Sequence, residues 1–71
     1  MLRYNPKPNF LSNKVILVTG AGDGIGKQAA LTYAQFGATV ILLGKTVKKL
    51  EAVYDEIIAN KGAEPAIVPL D

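Results

Sequence analysis

Thr19-Gly20-Ala21-Gly22-Asp23-Gly24-Ile25-Gly26 sets four glycines at alternate positions between two apolar stretches. Upstream, Val15-Ile16-Leu17-Val18 is a short, β-branched-rich run without alternation, the pattern of a strand buried on both faces. Downstream, Ile25, Ala29, Tyr33 and Phe36 recur three or four residues apart, which predicts one apolar helix face. Gly37 follows where a helix-ending C′ residue belongs. A glycine-rich strand-to-helix junction has a specific chemical use. Glycine reaches positive φ and lets a ligand approach the backbone closely. The loop N–H groups and the positive end of the helix then form an anion site, for which a pyrophosphate is the natural guest. The bland alternative is a glycine-rich turn with no ligand, but four glycines there lower local stability and call for a reason.

Beyond Gly37 the pattern repeats. Thr39–Leu43 predicts a second buried strand, Thr46 an N-cap, and Val47, Leu50, Tyr54, Ile57 and Ile58 a second helix that ends at Gly62. Ala66-Ile67-Val68 predicts a third, shorter strand running to Leu70-Asp71. The order β-α-β-α-β implies an α/β fold with a parallel sheet. Residues 1–13, with Pro6 and Pro8, predict an extended arm or a loose tail, with Phe10 and Leu11 candidates to pin it. Right-handed crossovers in strand order 3-2-1 would place both helices on one face of the sheet. The other face, and the outer edge of the first strand, would be bare. A parallel sheet is normally covered on both sides, so the expectation is a longer enzyme or a partner that supplies the missing layer.

Composition narrows the classes. The 71 residues are 49% apolar and 20% charged, with a formal net charge of +2, as in ordinary soluble proteins. That charge is too weak to argue for nucleic acid. No cysteine and no histidine occur, which excludes a disulfide scaffold and a Cys/His metal site. The start, MLRYNPKPNF, has no apolar h-region, and the longest apolar runs are too short to cross a bilayer. The expected location is the cytoplasm, away from membranes.

Two familiar phosphate-binding spacings fail. G-x-G-x-x-G would need a third glycine where Ile25 stands, and a P-loop would need glycine at Ala21 and a hydroxyl at Gln28. The spacing T-G-x-x-x-G-I-G, complete from Thr19 to Gly26, resembles the short-chain dehydrogenase/reductase family, and the likeness runs from about Leu11 to Asp71. Within that family the Pro-containing arm and the run Ala38–Gly44 resemble the bacterial YciK-like oxidoreductases. The resemblance implies that residues 14–71 are the N-terminal part of an NAD(P)-binding Rossmann domain: the β-α-β-α-β half of a doubly wound parallel sheet. It also implies site roles. Gly20, Gly24 and Gly26 shape the loop, with Gly24 and Ile25 near the pyrophosphate. Gly22 and Asp23 lie near the adenosine ribose, Gly44-Lys45-Thr46 flank that ribose, and Asp71 accepts a hydrogen bond from the adenine amino group.

The family's chemistry resembles hydride transfer between nicotinamide and a carbonyl or alcohol, assisted by a tyrosine with a lysine four residues later. No such pair occurs: Tyr4, Tyr33 and Tyr54 are followed at that spacing by Pro8, Gly37 and Ile58. Tyr33 and Tyr54 read as core residues, so no catalytic residue is named. Three functions remain open: the cofactor-binding part of an oxidoreductase, a stand-alone nucleotide-binding or regulatory module, and a non-catalytic truncated product. The full-length enzyme would be a homo-oligomer. Cofactor choice leans to NADP over NAD. NAD-binding domains usually carry a carboxylate at the end of the second strand, where Leu43-Gly44-Lys45 has none. Lys45, Lys48 and Lys49 crowd a helix start, where the macrodipole disfavours cations, and an anion among them would account for that. Asp23 counts against it, since some NADP-preferring relatives carry a basic residue there.

Overall fold

The computed structural model describes residues 11–70. The order is β1 (Val15–Thr19), α1 (Gly24–Gln35), β2 (Thr39–Gly44), α2 (Val47–Ala59) and β3 (Ala66–Pro69). The sheet is parallel with β2 in the middle. Val15 stands opposite Thr39 and Leu17 opposite Ile41, while Ile41 faces Ala66 and Leu43 faces Val68. The predicted α/β architecture is the observed one, with element ends within a residue or two of those read from the sequence.

Alternation along the strands sorts the two faces of the sheet. Val18, Val40 and Leu42 point to the helices and join Ala30, Ala34, Leu50, Val53 and Ile57 in one core. Their neighbours point the other way. Val15 is 67% and Leu17 59% exposed, and Val68 is exposed too. Ile41 and Leu43 are only half covered. Among the described residues, one face of the sheet is therefore left largely uncovered, as the strand order required, and β1 pairs on one side only.

The buried side of α1 is not the predicted one. Ile25 is 91% exposed and Tyr33 is also exposed, whereas Ala30 and Ala34 are buried. The cause is distance. A Cβ on Gly26 would sit 2.7 Å from the carbonyl carbon of Gly20, so α1 lies hard against the end of β1. Gly26, Ala30 and Ala34, four residues apart, form a stripe of small residues on that side, and large side chains have no room there. In α2 the buried residues are Leu50, Val53 and Ile57. Val47 and Ile58 are exposed and Tyr54 is half-buried. The Tyr54 hydroxyl donates to Glu64 Oε2 at 2.7 Å, which ties α2 to the approach to β3. That bond, then desolvation, then the charges of Glu64 and Asp55 hold the phenol above its usual pKa of 10.0. Tyr54 is thus a protonated strut at neutral pH.

Both helices end in the same motif. After α1, Gly37 (φ +98) donates to Ala34 and Ala38 to Tyr33, at 3.0 and 3.1 Å, as in a Schellman cap. After α2, Lys61 donates to Ile58 and Gly62 to Ile57, both at 2.9 Å. The left-handed residue here is Lys61, at φ +64, and not Gly62. The sequence reading put the helix-ending glycine one position late. Gly62 serves a different need: a Cβ there would come within 2.9 Å of Ile57 Cγ2. A lysine in the left-handed region is strained by about 1–2 kcal/mol, and glycine's greater unfolded-state freedom offsets part of that. Lys61→Gly is therefore expected to stabilise the protein by about 0.5–1 kcal/mol, read as a higher midpoint in thermal or urea unfolding.

Leu11 joins the domain. It packs on the core, and its N–H donates to the Phe36 carbonyl at 2.9 Å. The other predicted anchor, Phe10, and the rest of the expected arm lie outside the described residues. Among the described residues, no helix is long and apolar enough to cross a membrane.

Candidate functional site

At the C-terminal ends of β1 and β2 the chain leaves the sheet twice, and the two exits face each other. The first is the glycine loop. Gly20 takes φ +62. Ala21, fully buried, donates to the Leu43 carbonyl at 3.0 Å and so staples the loop to β2. Asp23 is the N-cap of α1 in extended backbone, but its side chain makes no capping bond. The first i→i−4 bond of α1 is Lys27 to Asp23, at 3.0 Å. The N–H groups of Gly24, Ile25 and Gly26 come before it and have no acceptor within the helix. Gly24 stands at φ +50 with nothing within 4 Å of where its Cβ would be. The loop backbone there is open to a ligand.

The second exit is Gly44-Lys45-Thr46. Gly44 is buried, and its would-be Cβ lies 3.1 Å from Leu50 Cδ2. Its carbonyl accepts from Leu70 N–H at 2.8 Å, just beyond β3. Thr46 is the N-cap of α2 by position, with no side-chain capping bond. Its carbonyl accepts from Lys49 and Leu50 at 3.1 and 3.2 Å.

Between the exits lies a cleft of about 280 Å³ lined by Gly20, Gly22, Asp23, Gly44, Lys45, Thr46, Lys49 and Leu50. Six of the predicted site residues meet there. Gly24 and Ile25 lie at the adjoining start of α1. Gly26 faces the Gly20 carbonyl and works as packing. Asp71 lies outside the described residues. The lysine cluster divides: Lys45 and Lys49 line the cleft and Lys48 does not. Lys49 Nζ meets Asp23 Oδ2 at 2.8 Å, so the acid that argued against a second anion is already paired. Lys49 was expected only as one of a lysine cluster around an anion, and Leu50 was not expected at the site. Their signal was helical spacing, since residues 49 and 50 stand one turn beyond Thr46 and return to the same side.

A larger groove, of about 750 Å³, lies between α1 and α2, with Gln28, Thr32, Glu56 and Asn60 among its walls. It shares no residue with the glycine loop. In open parallel sheets, ligands bind outside the carboxyl ends of the strands, so the smaller cleft is the candidate site.

The family model described as short chain dehydrogenase matches residues 14–71, and the chain belongs to that family. It is 50% identical to the uncharacterized oxidoreductase YciK of Escherichia coli K12, over 99% of this chain and 28% of that protein. The 0.95 Å structure of Escherichia coli YciK superposes with a TM-score of 0.89, over 99% of this chain and 29% of the other. A short chain dehydrogenase of Shigella flexneri 2a complexed with NADP is 51% identical with a TM-score of 0.87, over 92% and 27% of the two chains. One from Escherichia coli CFT073 complexed with NADPH is 52% identical with a TM-score of 0.86, over 93% and 28%. The chain spans a little over a quarter of the length of these relatives.

Proposed function

We propose that this chain is the cofactor-binding part of an NADP-dependent oxidoreductase, with the dinucleotide lying across the carboxyl ends of β1 and β2. The observation that carries the reading is the composition of the cleft. Backbone at Gly20 and Gly22 faces Lys45 and Lys49, and no carboxylate stands at the end of β2. A carboxylate there would hold a ribose 2′-hydroxyl and repel a 2′-phosphate; a lysine does the reverse. In this reading Gly20, Gly24 and Gly26 shape the loop, and Gly24 and Ile25 present N–H groups to the pyrophosphate. Gly22 and Asp23 sit beside the adenosine ribose. Gly44, Lys45 and Thr46 flank that ribose, with the Lys45 ammonium on the 2′-phosphate, and Asp71 accepts from the adenine amino group. The NADP and NADPH complexes of the relatives support the choice.

The bound nicotinamide would exchange a hydride with a carbonyl or alcohol. This chain's part is to hold and orient its other end. The 71 residues contain no Tyr-x-x-x-Lys, and Val15 and Leu17 stand bare on the open face of the sheet. The exposed face favours a larger unit, in which another layer covers it, over a stand-alone module, and in that unit the proton donor would come from outside these residues.

The test is a calorimetric titration of the full gene product with NADPH and NADH. NADPH is expected to bind at least about tenfold tighter, a gap of roughly 1.4 kcal/mol, and Lys45→Ala to erase most of that gap. Equal affinities, or a preference for NADH, would overturn the reading.

A further inference from the structure

We propose that Lys49 sets cofactor specificity by controlling Asp23: it cancels the carboxylate at the mouth of the cleft and holds it away from the start of α1. The proposal rests on the NADP reading above and adds a residue that acts beside Lys45.

Three observations converge on Lys49. The first is the ion pair: Lys49 Nζ lies 2.8 Å from Asp23 Oδ2, joining residues 26 apart in sequence across the cleft that both line. The second is packing. A Cβ on Gly22 would come within 2.8 Å of the Lys49 Cβ, so the lysine stem already fills the space beside the loop and Gly22 admits it. The third is what each partner forgoes. Asp23 occupies an N-cap, where an aspartate normally accepts an N–H from the first helical turn, yet it makes no such bond. Lys49 occupies the first turn of α2, where the helix dipole disfavours a cation. Neither residue has its best local partner, and each has the other.

The consequence concerns two phosphates. With Asp23 drawn to Lys49, the N–H groups at the start of α1 stay open to a pyrophosphate. With its charge cancelled, Asp23 no longer opposes a 2′-phosphate next to Lys45. Without Lys49 the carboxylate is free to cap α1, which competes with either cofactor, and its bare charge repels the phosphorylated one in particular.

The experiment measures dissociation constants of the full gene product for NADPH and NADH by calorimetry, at low and high salt. The variants are Lys49→Met, Asp23→Ala, the double variant and Lys49→Arg. Methionine keeps the stem against Gly22 and removes the charge. Lys49→Met is expected to weaken NADPH about fivefold and NADH less than about twofold, with the difference shrinking at high salt because the pair is exposed. Asp23→Ala is expected to leave NADPH within about twofold of wild type, because the charge it removes is already paired. The double variant is expected to lie within about twofold of wild type for NADPH, and Lys49→Arg to keep the wild-type ratio. An unchanged NADPH:NADH ratio in Lys49→Met, or a loss that Asp23→Ala leaves unrescued, would overturn the proposal. If Lys45→Ala still erases the NADPH preference in that case, only the role of Lys49 fails. If the wild type shows no preference and Lys45→Ala changes nothing, the NADP reading itself is wrong.

Discussion

Gly26→Ala is expected to destabilise the protein severely and lower its unfolding midpoint sharply. The added methyl would meet the Gly20 carbonyl, with the Gly20 carbon at 2.7 Å and the Thr19 oxygen at 3.0 Å. All of these are backbone atoms. No rotamer change relieves the clash, and moving the loop would pull Ala21 from the core and from its bond to Leu43. Moving α1 outward instead would lift Ala30 and Ala34 from contacts that bury them almost completely. Either route costs about 4 kcal/mol or more, against a total stability of about 5–15 kcal/mol for an ordinary domain. The measure is soluble yield of the full gene product and its thermal unfolding midpoint. A Gly26→Ala variant that melts with the wild type would show that α1 has slack at its N-terminus. The role follows a general use of the last glycine in such loops, which is close packing of helix on strand.

Gly24→Val should fail differently: the protein folds and the cofactor is lost. The space around a Gly24 side chain is open, with nothing within 4 Å, so no packing clash arises. The backbone at φ +50 strains a β-branched residue by about 1–3 kcal/mol, a cost that most domains survive. The new side chain would stand over the N–H groups that precede the first bond of α1, where the proposed pyrophosphate lies. Losing about two hydrogen bonds to a charged group, each worth roughly 1.5–3 kcal/mol, predicts an affinity drop of at least about hundredfold for both NADPH and NADH. Titration well below the melting point, with circular dichroism to confirm native structure, separates the two effects. Unchanged affinity would mean that the ligand does not approach this loop. Together the two variants separate a glycine needed by the fold from a glycine needed by the ligand, two positions apart on one loop.

Much of the fold was legible because its signals are local. The run Val15–Val18, the glycines from Gly20 to Gly26 and the recurrence of Leu50, Tyr54 and Ile57 each lie within a few residues. Backbone preference and burial period can therefore mark strands, loop and helix without reference to distant chain. The family resemblance implied that Gly20, Gly22, Asp23, Gly44, Lys45 and Thr46 serve one ligand, and the fold brings them around one cleft, since a β-α-β unit sets the ends of adjacent parallel strands side by side.

Tertiary structure decided three things. It chose the buried side of α1. Hydrophobicity favoured Ile25, Ala29, Tyr33 and Phe36, but how closely helix and sheet approach depends on Gly26 meeting the Gly20 carbonyl, and at that distance only small residues fit. It put Lys61, and not Gly62, in the left-handed position, while Gly62 sits where a Cβ would crowd Ile57. And it joined Asp23 to Lys49. Sequence showed an acid in a loop and a cation at a helix start, each in a poor local setting. Their pairing required two segments 26 residues apart to meet over the sheet. A charge 2.8 Å away outweighs a helix dipole that fades within one turn, and only the folded chain sets that distance.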